Sequence, residues 1–344
     1  MIKQKKKITL LKRKYFINEN QKNAFFITIL LVLVVALLLM TSTIFTYIHN
    51  LNFGEKISGN IQRVIQMILT GMALGISSYL LQRMTNNRLA DTSIMGFGNF
   101  NLIPISILAI CTNFTSQYVD GKLDIDTFKI IQPIIVVGFT IILCLIFNIM
   151  SKDKTKFNFK KLLLSGIILN FVSLAIAFSI SSAGDYLAIQ YIEKKAIGNI
   201  GGKPETFNLF FSMGCIVLGF IWIMLNSYKI QLIIQNQQIA RQTGIYNISI
   251  MTQTMLCIGL LVGGSYALSG DFVFVGLIAG NIAFRFSRNK IYYGVPSSGL
   301  IGALMVLITY FVFGNLINVD NMIIAPLIPL LISPYFIYLV IRWR

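Results

Sequence analysis

Charge is scarce in this chain. Asp, Glu, Lys and Arg together make up 12% of its 344 residues, about half of what a soluble domain carries. Histidine occurs once, at His49, which excludes a histidine metal cluster built within the chain. The four cysteines, Cys111, Cys144, Cys215 and Cys257, show no C-x-x-C spacing. They lie within or beside apolar runs and read as small packing residues, neither disulfide partners nor metal ligands. No G-x-x-x-x-G-K-[ST] occurs, so the chain has no P-loop with which to hydrolyse ATP itself. No catalytic residue, metal ligand or covalently bound cofactor is expected. Acidic residues are also few, 12 against 29 Lys and Arg, for a net charge of +17. A nucleic-acid partner would explain such an excess, but the basic residues fall between apolar runs rather than in one soluble domain. They read as cytoplasmic loops facing anionic membrane lipid.

What the chain has instead is apolar length. Hydrophobic residues fill 56% of it and the mean hydropathy is +0.74. They come in blocks of about 20, enough for a helix rising 1.5 Å per residue to cross a core of roughly 30 Å. In such a core each backbone amide must be bonded internally, so each block predicts a helix. The short alternating segments of a membrane β-barrel do not appear. Ten blocks fall at 24–48, 61–82, 93–112, 130–150, 161–182, 206–227, 248–269, 272–286, 298–316 and 323–341. The eighth is short and suggests a broken or re-entrant element. The basic N-terminal stretch resembles a signal peptide, but the apolar run Phe25–Met40 is long and no A-x-A-like site follows it, so a retained first helix is expected. The organisation is a basic cytoplasmic tail, 1–23, followed by one transmembrane domain, 24–344.

Orientation follows from counting. With the N-terminus inside and ten helices, 22 of the 29 Lys and Arg residues fall on the cytoplasmic side, as the positive-inside tendency requires. Both termini are then cytoplasmic. Small residues recur at four-residue spacing in Gly71/Gly75, Gly259/Gly263 and Gly276/Gly280, which lets helix backbones approach closely. The segments 71–82 and 259–270 are faintly alike and would run in opposite directions, as an inverted repeat requires. Asp271 and Arg285 bracket the short eighth block. They are either functional ionisable groups within the membrane, Asp271 then being a proton-carrier candidate, or groups at its two edges in headgroup water. The scattered Phe, Tyr and Met residues read as apolar bulk.

Specific motifs stand on this frame. Residues 63–96 read RVIQMILTGMALGISSYLLQRMTNNRLADTSIMG, residues 269–285 read SGDFVFVGLIAGNIAFR, and the C-terminal run carries Pro334, Phe336 and Tyr338. QIARQTGI occupies 238–245. In order and spacing this set resembles the FecCD-type permeases for iron-siderophore complexes and vitamin B12. The shared positions include Gly71, Gln82, Asn87, Asp91, Gly96, Gly276, Arg285 and Pro334. Gly75 stands in the same run. The chain departs from the family pattern at Arg88, Thr92 and Asp271, each in place of a proline, and at Gly280-Asn281 in place of Pro-His.

The resemblance implies a type II ABC importer permease fold. Two permease subunits, identical or paralogous, would form the pore. Cytoplasmic ATP-binding subunits would use the ATP, and an extracellular substrate-binding lipoprotein would deliver the ligand. Membrane lipid surrounds the protein, nucleic acid has no part, and the chain is a conduit rather than an enzyme. The resemblance makes Gln238, Ala240, Arg241 and Gly244 part of the loop that docks on the ATPase, with Ala240 and Gly244 matching and Arg241 able to pair with acidic groups, the alternative being a solvated loop. Arg63 matches an arginine that accepts binding-protein carboxylates, the alternative being a guanidinium snorkelling to headgroups. Asn87 and Asp91 are expected to shape the turn after the second helix through bonds to nearby amides. The expected cargo is an iron-siderophore complex. Haem or cobalamin is the alternative within the class, and an ATPase-independent secondary transporter is the alternative outside it.

Overall fold

The computed structural model describes residues 22–41, 53–112, 124–152, 157–199, 204–287, 290–317, 319, 323–330 and 333–334. The basic tail to residue 21, the outer end of the first expected helix with His49, and the chain beyond 334 with Phe336 and Tyr338 lie outside these residues. The described residues are almost entirely helical, in twelve segments: α1 Lys22–Thr41, α2 Phe53–Thr85, α3 Phe97–Cys111, α4 Ile125–Ser151, α5 Phe159–Ser181, α6 Tyr186–Ile197, α7 Thr206–Gln235, α8 Gln237–Gln242, α9 Asn247–Ser269, α10 Val275–Ser287, α11 Ile291–Thr309 and α12 over 323–330. A π-helical segment, Tyr310–Leu316, continues α11.

Seven of these, α1, α2, α4, α5, α7, α9 and α11 with its extension, are long and apolar enough to cross a membrane. α3 and α10 are apolar but shorter, and α12 opens the tenth expected span. The chain is thus an all-α polytopic membrane protein. Lipid supplies no hydrophobic drive between helices, so close backbone contact must hold them. α2 is the centre of that packing, flanked by α9, α10 and α11. Gly71 and Gly75 abut Gly302 and Ser298 of α11, so small residues at four-residue spacing interlock from both helices. Gly259 and Gly263 likewise admit Cys144 and Thr140 of α4, and Gly276 and Gly280 admit Leu74, Ser78 and Gln82 of α2.

Two stretches expected as loops are helical. α6 lies within the outer connection between the fifth and sixth spans. Its 12 residues bury only Ala188 and Ile192, too narrow and charged a stripe to register as an apolar block. α11 begins at Ile291, seven residues before the expected start. The added residues include Gly294, where Tyr79 of α2 packs. Pro296 sits in the second turn of the helix, where the Tyr292 carbonyl loses its i+4 N–H partner.

Candidate functional site

Three regions carry the residues singled out in the sequence: the interior breaks before α3 and α10, the outer end, and the cytoplasmic loop at α8.

After α2 the chain does not leave the bundle. Asn87 accepts a bond from the Leu89 N–H at 2.9 Å, and the following residues fold back until Asp91, fully buried, accepts from the Ser78 hydroxyl and from the Thr92 and Ser93 amides. Ser78 lies seven residues before the end of α2, so Asp91 is about 10 Å inside that end. α3 then begins after Gly96, whose φ of 82° suits glycine and whose missing Cβ leaves room for Asn170 of α5. The second break mirrors the first. α9 ends at Ser269, whose hydroxyl meets Gln66 at 3.0 Å and Thr70 at 2.9 Å on α2. A short extended stretch follows, Phe274 adopts φ 68°, and α10 starts at Val275.

The two short helices begin side by side in the interior and run apart. α10 runs with α2 toward its Thr85 end, where Gln82 donates to the Leu277 carbonyl at 3.0 Å and Asn281 donates to the Arg88 carbonyl at 2.9 Å. α3 runs the other way and reaches α6. Each start is faced by the other break's carboxylate. Asp91 lies against Gly276 in the first turn of α10, and Asp271 against Gly98 in the first turn of α3. Asp271 also accepts from Ser93 at 3.3 Å. Two helix N-termini, both partially positive, therefore meet at two carboxylates. Asp271 lies partly buried between the two half-helix starts, whereas Arg285 is exposed in the last turn of α10.

At the outer end Arg63 is half-buried on α2 and bonded to the Tyr310 hydroxyl. Pro334 is exposed in a short helical piece after α12.

The α8 loop is built as a rigid unit. Asn236 caps it by accepting from Gln238 and Ile239 N–H at 2.9 and 3.2 Å. It ends in a Schellman motif, with Ile245 N–H donating to Ala240 at 3.1 Å, Gly244 N–H to Arg241 at 3.0 Å, and Gly244 at φ 82°. Ala240 is buried beneath, while Gln238, Ile239, Arg241 and Tyr246 are exposed. Two braces tie the loop down. The Gln237 side chain donates to the Phe157 carbonyl at 2.8 Å and accepts the Phe157 N–H at 3.1 Å, and Asn247 donates to the Gln237 carbonyl at 2.7 Å. Sequence reasoning found the loop through Ala240 and Gly244 but missed Gln237, because its partner Phe157 is 80 residues away.

A bundle of spanning helices with two opposed interior half-helices and a braced surface helix defines a polytopic transport protein. The profile of the FecCD transport family matches residues 23–342, and the chain belongs to that family. It is similar to the petrobactin import system permease YclO of Bacillus subtilis, 23% identical over 90% of this chain and 96% of that protein. The hemin transport permease HmuU of Yersinia pestis is 23% identical over 82% and 81%. The vitamin B12 import permease BtuC of Vibrio vulnificus is 23% identical over 81% and 80%. Among solved structures, a metal-chelate-type ABC transporter in an inward-facing conformation shares the fold, with a TM-score of 0.75, 17% identity, and coverage of 93% of this chain and 99% of the other. The chain is thus a multi-pass permease of an ABC importer, with ATPase activity residing in partner subunits.

Proposed function

We propose that this permease forms half of a dimer that imports an iron-siderophore complex, with both termini cytoplasmic and ATP-binding subunits docked on α8. The observation that carries the coupling is the rigidity of α8. A cap, a Schellman ending and two side-chain braces hold a six-residue helix whose exposed face offers Ile239, Arg241 and Tyr246. A merely solvated loop has no use for such restraint. A push on α8 reaches the α4–α5 connection through Gln237 and Phe157, and reaches α9 through Asn247. Closure of the ATPases would thereby change the relative stability of inward- and outward-open bundles. The cargo assignment is supported by the similarity to a petrobactin import permease over nearly the full length of both chains.

Uptake of radiolabelled iron in cells carrying the complete transporter tests the reading. Iron-siderophore uptake is expected, lost when the ATPase subunit is omitted. Arg241→Glu is expected to weaken ATPase association while leaving the melting temperature of the chain unchanged, because Arg241 is exposed. Uptake of haem or cobalamin in place of the chelate would reassign the cargo. Transport by the chain with no nucleotide-binding partner would overturn the importer mechanism.

A further inference from the structure

The outer connections close around a polar cavity of about 260 Å³ between α2, α4, α6, α7 and α9. Its wall holds three ammonium groups, Lys129, Lys194 and Lys195, against one carboxylate, Glu205. The floor is the end of α9, whose exposed carbonyls would repel an anion. Those carbonyls are already covered. Lys195 Nζ and Asn208 donate to Ala267 at 3.0 and 2.9 Å, Gln66 donates to Leu268 at 2.9 Å, and the Asn199 N–H donates to Ser269 at 2.7 Å. Lys195 therefore caps the helix with one proton and has two more to offer. Burial lowers its ammonium to about 8, so it is still largely charged at neutral pH.

Two wall residues are not satisfied by the protein. Gln132 is 4% exposed and its Nε2 donates to nothing, and Gln66 is 3% exposed with its Oε1 accepting nothing. A buried amide group left unmatched is unfavourable. Both residues line this one cavity, beside the lysines, with the unmatched atoms just beneath its surface and sealed from water in the free protein. An unmatched donor next to ammonium groups suits a carboxylate, and an unmatched acceptor beside them suits a hydroxyl on the same ligand.

We infer that this cavity is an anion subsite that takes a carboxylate group, preferentially one carrying a neighbouring hydroxyl. Lys194, Lys195 and Gln132 donate to the carboxylate, and Gln66 accepts from the hydroxyl. Glu205 acts as an internal competitor, since it holds Lys129 at 3.2 Å when no ligand is present. The volume is below the roughly 300–1,000 Å³ that encloses a drug-sized ligand, so the site takes one arm of a larger molecule, not the whole. Its place on the outer face rests on the importer reading above. The carboxylate has two possible sources, an arm of the metal chelate or an acidic side chain of the delivering protein.

The test is calorimetric titration of citrate into the full-length chain in lipid nanodiscs at fixed ionic strength, with tricarballylate, which lacks the hydroxyl, as comparison. Citrate is expected to bind more tightly than tricarballylate. Gln132→Leu and Lys194→Gln are each expected to weaken citrate by about tenfold, as befits loss of a hydrogen bond to a charged group. Glu205→Gln is expected to tighten it by leaving Lys129 only its longer pair with Asp126, at 3.4 Å. Gln132 Nε2 makes no bond in the free protein, so its removal leaves the fold intact and keeps the test clean. Citrate affinity that is undetectable, or equal in all these variants, overturns the site. Uptake then separates the sources: if Lys194→Gln slows only a carboxylate-bearing chelate, the arm belongs to the cargo. If it slows carboxylate-bearing and carboxylate-free chelates equally and weakens the delivering protein's affinity, the arm belongs to that protein. Citrate binding requires no transport, so failure of all iron uptake would sink the iron-siderophore cargo and leave the subsite standing.

Discussion

The breaks before α3 and α10 solve one problem with unequal means. Both must start a half-helix in the interior, where unpaired amides are costly, and both set a carboxylate against the start. Asp91 is fully buried, with a hydroxyl and two amides on it. Asp271 is partly exposed, and the hydrogen bond its side chain accepts from Ser93 is long, at 3.3 Å. The first carboxylate is therefore part of how its turn folds, and the second is held far more loosely, where the FecCD-type pattern that the sequence resembles has a proline.

That inequality is most directly broken at Asp91. Asp91→Ala strands the Ser78 hydroxyl and two amides and removes the negative charge at the start of α10. A loss of about 3 kcal/mol or more is expected, read as a lower unfolding midpoint and a lower yield of folded protein in detergent. A variant that melts like the parent would show that the carboxylate is not what holds the turn. Gly276→Val comes next. A Cβ there would lie 2.7 Å from the Leu74 carbonyl and 2.8 Å from the Asp91 carboxylate. The first is backbone and cannot swing away, so α10 must separate from α2, at about 1–3 kcal/mol.

How legible this was in the sequence differs by region. Span positions were readable because lipid enforces helix and apolar length together. Gly71, Gly75, Gly276 and Gly280 were readable as contact points, though not their partners, because four-residue spacing says that a backbone comes close and not whose. Asn87 and Asp91 were readable as turn residues from their short polar side chains. The facing of Asp91 and Asp271 was not, since 180 residues separate them and nothing local records that two helix starts meet. α6 escaped because its buried stripe is two residues wide, and with it went Lys194 and Lys195 and the cavity they line. Gln132 and Gln66 carry no local signal in their apolar helices, and only the cavity they line brings them together.

A double-mutant cycle sharpens the second break. Gly98→Ala alone drives a methyl into the Asp271 carboxylate and is expected to cost about 1–2 kcal/mol. In an Asp271→Ala background the same methyl has room, and the cost should nearly vanish, leaving a coupling energy of about 1–2 kcal/mol. Equal costs in both backgrounds would mean that α3 yields by moving as a whole.

The smallest expected effect is the most informative about why Asp271 is there. Asp271→Asn keeps the shape and the acceptor for Ser93 while removing the charge. Two terms then compete. The start of α3 favours a negative neighbour by about 0.3–1 kcal/mol, and the buried Asp91 carboxylate opposes one. Because Asp91 is held against α10 on the same side and cannot retreat, repulsion should match or exceed the dipole term. The asparagine variant should therefore melt at or slightly above the parent, by less than about 1 kcal/mol. A clear drop in midpoint would mean that the charge serves α3. An unchanged midpoint with impaired uptake would mean that this chain keeps the second carboxylate for transport and tolerates it in the fold.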